Sequence, residues 1–97
     1  MPKGYWVSSH QRTPDQAKYE AYRVIAKPAV EAAGGKFLIV DGNPEVREFG
    51  KRFRTVVIEF PTKEAAVRAY ESGAYQRALV AVGDGYERDF RIVEGVD

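Results

Sequence analysis

The sequence predicts an α+β domain in the element order β-α-β-β-α-β, and three observations carry that prediction. Four short stretches, Tyr5-Trp6-Val7, Phe37-Leu38-Ile39-Val40, Val56-Val57-Ile58 and Ile92-Val93, are rich in aromatic and β-branched residues, which suit a pleated, half-buried surface. Two longer stretches repeat apolar residues at helical spacing and open on capping residues. Each strand stretch also sets neighbouring large side chains on opposite faces of the pleat, because side chains alternate with a period of two. Two helices cover one face of a four-stranded sheet, and the second apolar face then needs another cover.

The first strand runs from Lys3 to Gln11, aromatic and β-branched at its front and polar over Ser8-Ser9-His10-Gln11. The first helix opens with Thr13 as cap, Pro14 in the first helical position, Asp15 at the positive end of the dipole and Gln16 completing a capping box. Tyr22, Ile25, Ala26, Ala29 and Ala33 then define a core-facing stripe, flanked by Tyr19 and Val30. Pro28 removes a backbone donor inside that pattern and clashes with the Val24 carbonyl, which predicts a kink. Gly34-Gly35 end the helix.

The second strand covers Lys36 to Val40 and is interrupted by the turn residues Asp41-Gly42-Asn43-Pro44. Glu45 to Phe49 alternates again and reads as a continuation of the strand after a bulge, before a turn near Gly50-Lys51. The third strand runs from Phe53 to Phe60, with Val56, Ile58 and Phe60 on one face and Thr55, Val57 and Glu59 on the other. Pro61 closes it and Thr62 caps the second helix, whose buried face is Ala65, Ala66, Ala69 and Tyr70. Ser72-Gly73 breaks that helix. Ala74 to Val82 forms a further helical piece with Tyr75, Ala78, Leu79 and Val82 on one side, and Asp89 to Glu94 makes the last strand. The resulting β-α-β-β-α-β order is the split βαβ pattern of ferredoxin-like domains, expected here as one domain over residues 1–97.

Composition narrows the function classes. Fifteen basic residues against fourteen acidic ones leave a net charge of +1, without the basic excess that nucleic-acid binding needs. The short cluster of Lys51, Arg52 and Arg54 is offset by Glu45 and Glu48. With no cysteine, a thiolate nucleophile, a disulfide and a zinc–sulfur site are all excluded. One histidine, His10, is too few for a typical metal site, and Gly83-Asp84-Gly85 does not open a helix after a strand as a phosphate loop must. The expectation is a protein with neither metal nor cofactor. The N-terminal segment lacks the apolar run of a signal peptide, and nothing approaches the ~18 apolar residues of a membrane span. The expected compartment is the cytoplasm, with no membrane partner.

Several segments together resemble a known family: Ala33-Gly34-Gly35-Lys36-Phe37-Leu38, the run from Val56 through Ile58-Glu59-Phe60-Pro61 to Ala66, the pair Tyr70 and Ser72 with Tyr75-Gln76 beyond, and the ending Ile92-Val93-Glu94-Gly95-Val96. In this order they resemble the "domain of unknown function 1330" family of the dimeric α/β-barrel superfamily. The resemblance spans nearly the whole chain. It implies a homodimer whose sheets pack through their helix-free faces, completing a barrel, and it implies no established activity. Members often carry a basic residue in the helical stretch after the Tyr-Gln pair. Here that stretch reads Ala78-Leu79-Val80-Ala81-Val82, with Arg77 as the available substitute.

Eight residues are candidates for chemistry. Glu59 lies in a central strand between Ile58 and Phe60, where a carboxylate is either a general base with a raised pKa or the partner of Arg54 or Arg91. His10 titrates near neutrality and is either a general acid–base or a surface histidine at a strand end. Tyr19, Tyr22, Tyr70 and Tyr75 either line a ligand cleft between helices and sheet or pack as ordinary core edges. Arg54 and Arg91, standing in strands, take either an anionic ligand or a neighbouring carboxylate. The leading functional expectation is a small homodimeric domain with a small-ligand pocket between helices and sheet. The alternatives are a metal-independent oxygenase- or isomerase-like enzyme, as found in the wider superfamily, and a pocket-free interaction or regulatory module.

Overall fold

A computed structural model of the chain describes residues 2–96. Its elements are β1 (Gly4–His10), α1 (Gln16–Ala32), β2 (Lys36–Asp41), β3 (Thr55–Phe60), α2 (Lys63–Glu71), α3 (Gly73–Val82) and β4 (Arg88–Glu94). The strands form one sheet in the order β2-β3-β1-β4, with every neighbouring pair antiparallel. The helices cover one face of it, which is the ferredoxin-like arrangement.

Side-chain parity decides which residues meet the helices. Along β1, Gly4, Trp6, Ser8 and His10 are buried while Tyr5, Val7 and Ser9 are half-buried on the opposite face. Register carries the same parity across the sheet: Trp6 pairs with Ile58 and Ile92, Ser8 with Val56 and Phe90, and His10 with Arg88. The core gathers on this covered face, with Trp6, Phe60, Ala66, Tyr75, Ala78 and Val82 almost inaccessible.

α2 lies against the sheet, because Ala66 and Ala69 present only methyl groups to it and let the backbone approach. Trp6 uses that closeness: its indole Nε1–H donates to the Ala66 carbonyl at 2.8 Å. The buried indole dipole is thereby satisfied, as burial demands. α1 behaves differently, packing chiefly on α3 rather than on the strands. Gly35, just past its end, could not be replaced by a larger residue, since a Cβ there would run into Val30 and the Phe60 ring.

Four local expectations are corrected. The cap of α1 is Asp15, whose carboxylate accepts from Lys18 N–H at 3.0 Å, so the helix begins two residues later than a Thr13 cap implies. A carboxylate at this position also gains from the dipole, which a threonine hydroxyl does not. Glu45 to Phe49 does not extend a strand. Residues 42–54 form an irregular connection, opened by Asp41 accepting from Asn43 N–H and holding Glu48 at a φ of 57°. The bulge falls inside β2 instead, between Phe37 and Ile39, so Phe37 and Val40 share the covered face while Ile39 and Asp41 lie on the other. Finally, β3 begins at Thr55 and β4 at Arg88, one residue earlier than sequence alone indicates for the latter.

Candidate functional site

Because α1 leans on α3 and leaves the β2–β3 side of the sheet, a cavity of about 530 Å³ opens between them. Its floor comes from alternate residues of the covered face: Trp6, Ser8 and His10 of β1, Val56 and Ile58 of β3, and Arg88 and Phe90 of β4. Tyr19, Tyr22, Ala26 and Val30 of α1 form the roof, and Phe37 and Val40 of β2 form one wall. Most of this lining is apolar or aromatic, with a few convergent polar groups, which is the usual make-up of a small-molecule site.

Arg88 organises the polar end. Standing opposite His10 at the start of β4, it points inward among tyrosines. Its Nη1 donates to Tyr22 Oη at 3.4 Å, and its Nη2 donates to Tyr75 Oη at 3.2 Å and to Tyr86 Oη at 2.5 Å. The Tyr22 and Tyr75 hydroxyls are themselves bonded at 2.6 Å. The guanidinium also lies over aromatic faces, 4.2 Å from the Tyr86 ring centre and 4.7 Å from that of Phe90. Burial pushes the Tyr22 and Tyr86 phenols up, against the opposing pull of the Arg88 cation, so both hydroxyls keep their protons at neutral pH.

His10 sits beside this cluster and is 2% exposed, which corrects the reading of a surface histidine. Strand parity alone puts it on the covered face, and the Tyr19 and Tyr86 rings close over it edge-on at 5.5 and 5.6 Å. Burial, followed by the nearby Arg88 and Arg54 cations, lowers its pKa to about 4. The imidazole is therefore neutral at pH 7, and its Nδ1 has no hydrogen-bond partner among the described residues. Arg54 is drawn alongside by the bond from His10 N–H to its carbonyl at 2.9 Å, and its guanidinium stands 5.6 Å from the Tyr19 ring centre.

The charges around the cavity are unbalanced. Of the charged α1 residues in the lining, Glu31 is paired with Lys27 at 3.4 Å, and Arg23 with Glu20, outside the lining, at 2.7 Å. Among the described residues, neither Arg54 nor Arg88 makes an ion pair.

Of the eight candidates from sequence, four meet here: His10, Tyr19, Tyr22 and Arg54 line the cavity. Tyr75 stands one layer behind, reached through its hydroxyl bond to Tyr22. Tyr70 packs instead against Trp6, Tyr75 and Phe90. The other two lie on the helix-free face. There Glu59, directly across from Tyr5, accepts from the Tyr5 hydroxyl at 3.0 Å, so its partner is neither Arg54 nor Arg91. Arg91 is paired with Asp89 through two bonds of 3.0 and 3.2 Å. Arg88 is not among the candidates read from sequence because the expected strand begins at Asp89, whereas β4 begins at Arg88; the alternation of Ile92 and Phe90, extended backwards, places it on the covered face. No group of residues able to hold a metal ion occurs among the described residues, and no described helix is long and apolar enough to cross a membrane.

Comparison with known proteins supports the fold. A family model described as "Domain of unknown function (DUF1330)" matches residues 3–96. No curated protein matches the sequence. Among solved structures, a protein of unknown function from Rhodopseudomonas palustris is similar with a TM-score of 0.77 at 16% identity, over 99% of this chain and 84% of that one. SnoaB, a cofactor-independent oxygenase from Streptomyces nogalater, is similar with a TM-score of 0.61 at 15% identity, over 100% of this chain and 96% of that one. A nipsnap family protein with unknown function from Agrobacterium tumefaciens gives 0.60 at 11% identity, over 98% and 88% of the two chains. At these identities the likeness is one of fold.

Proposed function

The chain belongs to the DUF1330 family, and from that premise we propose that it is a small-ligand-binding domain whose site is the cavity between α1 and the sheet. The observation that carries this reading is the cavity itself, about 530 Å³ between α1 and the sheet, with His10, Arg54 and Arg88 set in a mostly apolar and aromatic lining. Sites for small molecules are concave and apolar with a few polar groups, and this cavity has that make-up. A thermal-shift screen of small organic molecules tests it, since anything that binds only the folded state raises the melting temperature. Hits that lose their shift in His10→Ala, with the melting temperature of the free variant as baseline, support the site. Hits indifferent to every cavity residue place binding elsewhere.

The domain assembles, in this reading, as a homodimer through the helix-free face. Tyr5, Val7, Ile39, Val57 and Val93 share that face by register, and Ile39 and Val93 are 48% and 38% exposed in the single chain. A soluble protein seldom leaves such a patch in water. Sedimentation at micromolar concentration is expected to give twice the chain mass, and Val57→Asp is expected to shift it to the monomer. A wild-type monomer at that concentration would rule the pairing out.

A second reading, a metal-independent enzyme of the oxygenase type, is favoured by the same histidine. A neutral imidazole can accept a proton from an acidic phenol or enol in the cavity, and a tyrosine hydroxyl can orient the substrate oxygen. Dioxygen consumption on adding hydroquinones, lost in His10→Ala, would distinguish catalysis from simple binding.

A further inference from the structure

Resting on the reading of the α1 cavity as a ligand site, we propose that its ligand is an aromatic or conjugated carboxylate, anchored by Arg88 and the Tyr22 hydroxyl. Around Arg88, hydrogen-bond donors outnumber acceptors. A guanidinium has five N–H groups and no acceptor, and Arg88 uses three of them, all on tyrosine oxygens. Two N–H groups are left over. The hydroxyls of Tyr22, Tyr75 and Tyr86 accept those bonds and still carry one hydrogen each, of which one is used between Tyr22 and Tyr75. Either hydroxyl can donate in that bond, and when Tyr75 donates, the Tyr22 hydrogen is free to turn into the cavity that Tyr22 lines.

Arg88 therefore keeps two N–H groups without an acceptor among the described residues and a cation without a counter-charge, with the Tyr22 hydroxyl beside it on the cavity lining. A charged group held this way is costly until an anion meets it, and the neutral His10 beside it adds no competing positive charge. A carboxylate offers two oxygens, enough for both free N–H groups, and matches the cation in charge. A cationic ligand would meet only donors and a like charge. Trp6, Phe37 and Phe90 give the lining flat aromatic surfaces, joined by the apolar Val56 and Ile58, so the body carrying the carboxylate is an aromatic or conjugated one.

The test compares 2-naphthoate with its uncharged isostere 2-naphthamide by isothermal titration calorimetry at pH 7. Wild-type protein is expected to bind the carboxylate about tenfold or more tightly than the amide, the scale of a charge-assisted bond, and Arg88→Met is expected to abolish that preference. Equal binding of the two compounds would overturn the carboxylate assignment while leaving the cavity as a ligand site. Binding of neither would overturn both. A preference that survives in Arg88→Met would overturn the anchor. Should that variant fail to fold, a crystal structure of the wild-type protein with 2-naphthoate decides. A carboxylate within hydrogen-bond reach of the Arg88 guanidinium supports the assignment, and one held at the mouth by Lys27 or Lys36 overturns it.

Discussion

The two faces of the sheet treat their charges in opposite ways. On the helix-free face the polar groups settle among themselves: Tyr5 donates to Glu59 across the β1–β3 pair, and Arg91 is tied to Asp89. On the covered face Arg54, Arg88 and His10 lie close together with hydroxyls and aromatic rings around Arg88 and no carboxylate paired to either arginine. Burial makes the difference matter. An exposed pair contributes little to stability, whereas an enclosed cation with only neutral partners is poised for something not yet there. Completed charges mark a surface made for packing, and uncompleted ones mark a surface made for chemistry or recognition.

The largest expected effect sharpens the role of the covered face as core. Trp6 is 2% exposed and packs on Phe60, Tyr75 and Phe90 at centroid distances of 5.0, 4.8 and 5.2 Å. Trp6→Ala is expected to cost about 3–5 kcal/mol in urea unfolding, a large share of the stability of a small domain. A loss below about 1 kcal/mol would mean that the cavity, not the indole, dominates this region.

His10 gives the next effect, and its sign is set by burial. Its pKa in the folded chain, about 4, lies below the 6.5 of an unfolded histidine. The unfolded state therefore binds more protons between those values, and stability falls as pH drops from 6.5 toward 4, by roughly 3 kcal/mol for this one group. Wild-type protein is expected to lose stability more steeply across that window than His10→Gln. Parallel curves would show that the histidine reaches water freely. Tyr75→Phe comes third, at about 1–2 kcal/mol, because the hydroxyl it removes serves both Tyr22 and Arg88. Smallest is Arg91→Ala, expected to move stability by less than about 0.5 kcal/mol in the isolated subunit. An appreciable change there would contradict the picture of a self-contained outer face.

Much of this architecture was legible in the sequence, because strand parity is a local property. The alternation of Val56, Ile58 and Phe60 against Thr55, Val57 and Glu59 fixed the two faces of β3, and Thr62 announced α2 by capping at Ala65 N–H with 3.0 Å geometry. The connection between β2 and β3 was not legible. Glu45 to Phe49 alternates as a strand does, but only tertiary pairing decides whether an alternating run finds a neighbour. The site was half legible for a related reason. Residue types identified His10, Arg54 and the tyrosines, yet which of them meet depends on α1 standing off the sheet, a packing relation between helices distant in sequence. Glu59 drew attention as a central-strand carboxylate, and the face it occupies removed it from the cavity.

The chain contains a single tryptophan, and that residue is both hydrogen-bonded to the backbone of α2 and part of the cavity floor. Its indole emission thus comes from one environment alone, shielded from solvent and with no second indole to dilute it. A molecule entering beneath α1 would change that light directly, so occupancy can be followed in dilute solution with no label attached and no residue exchanged.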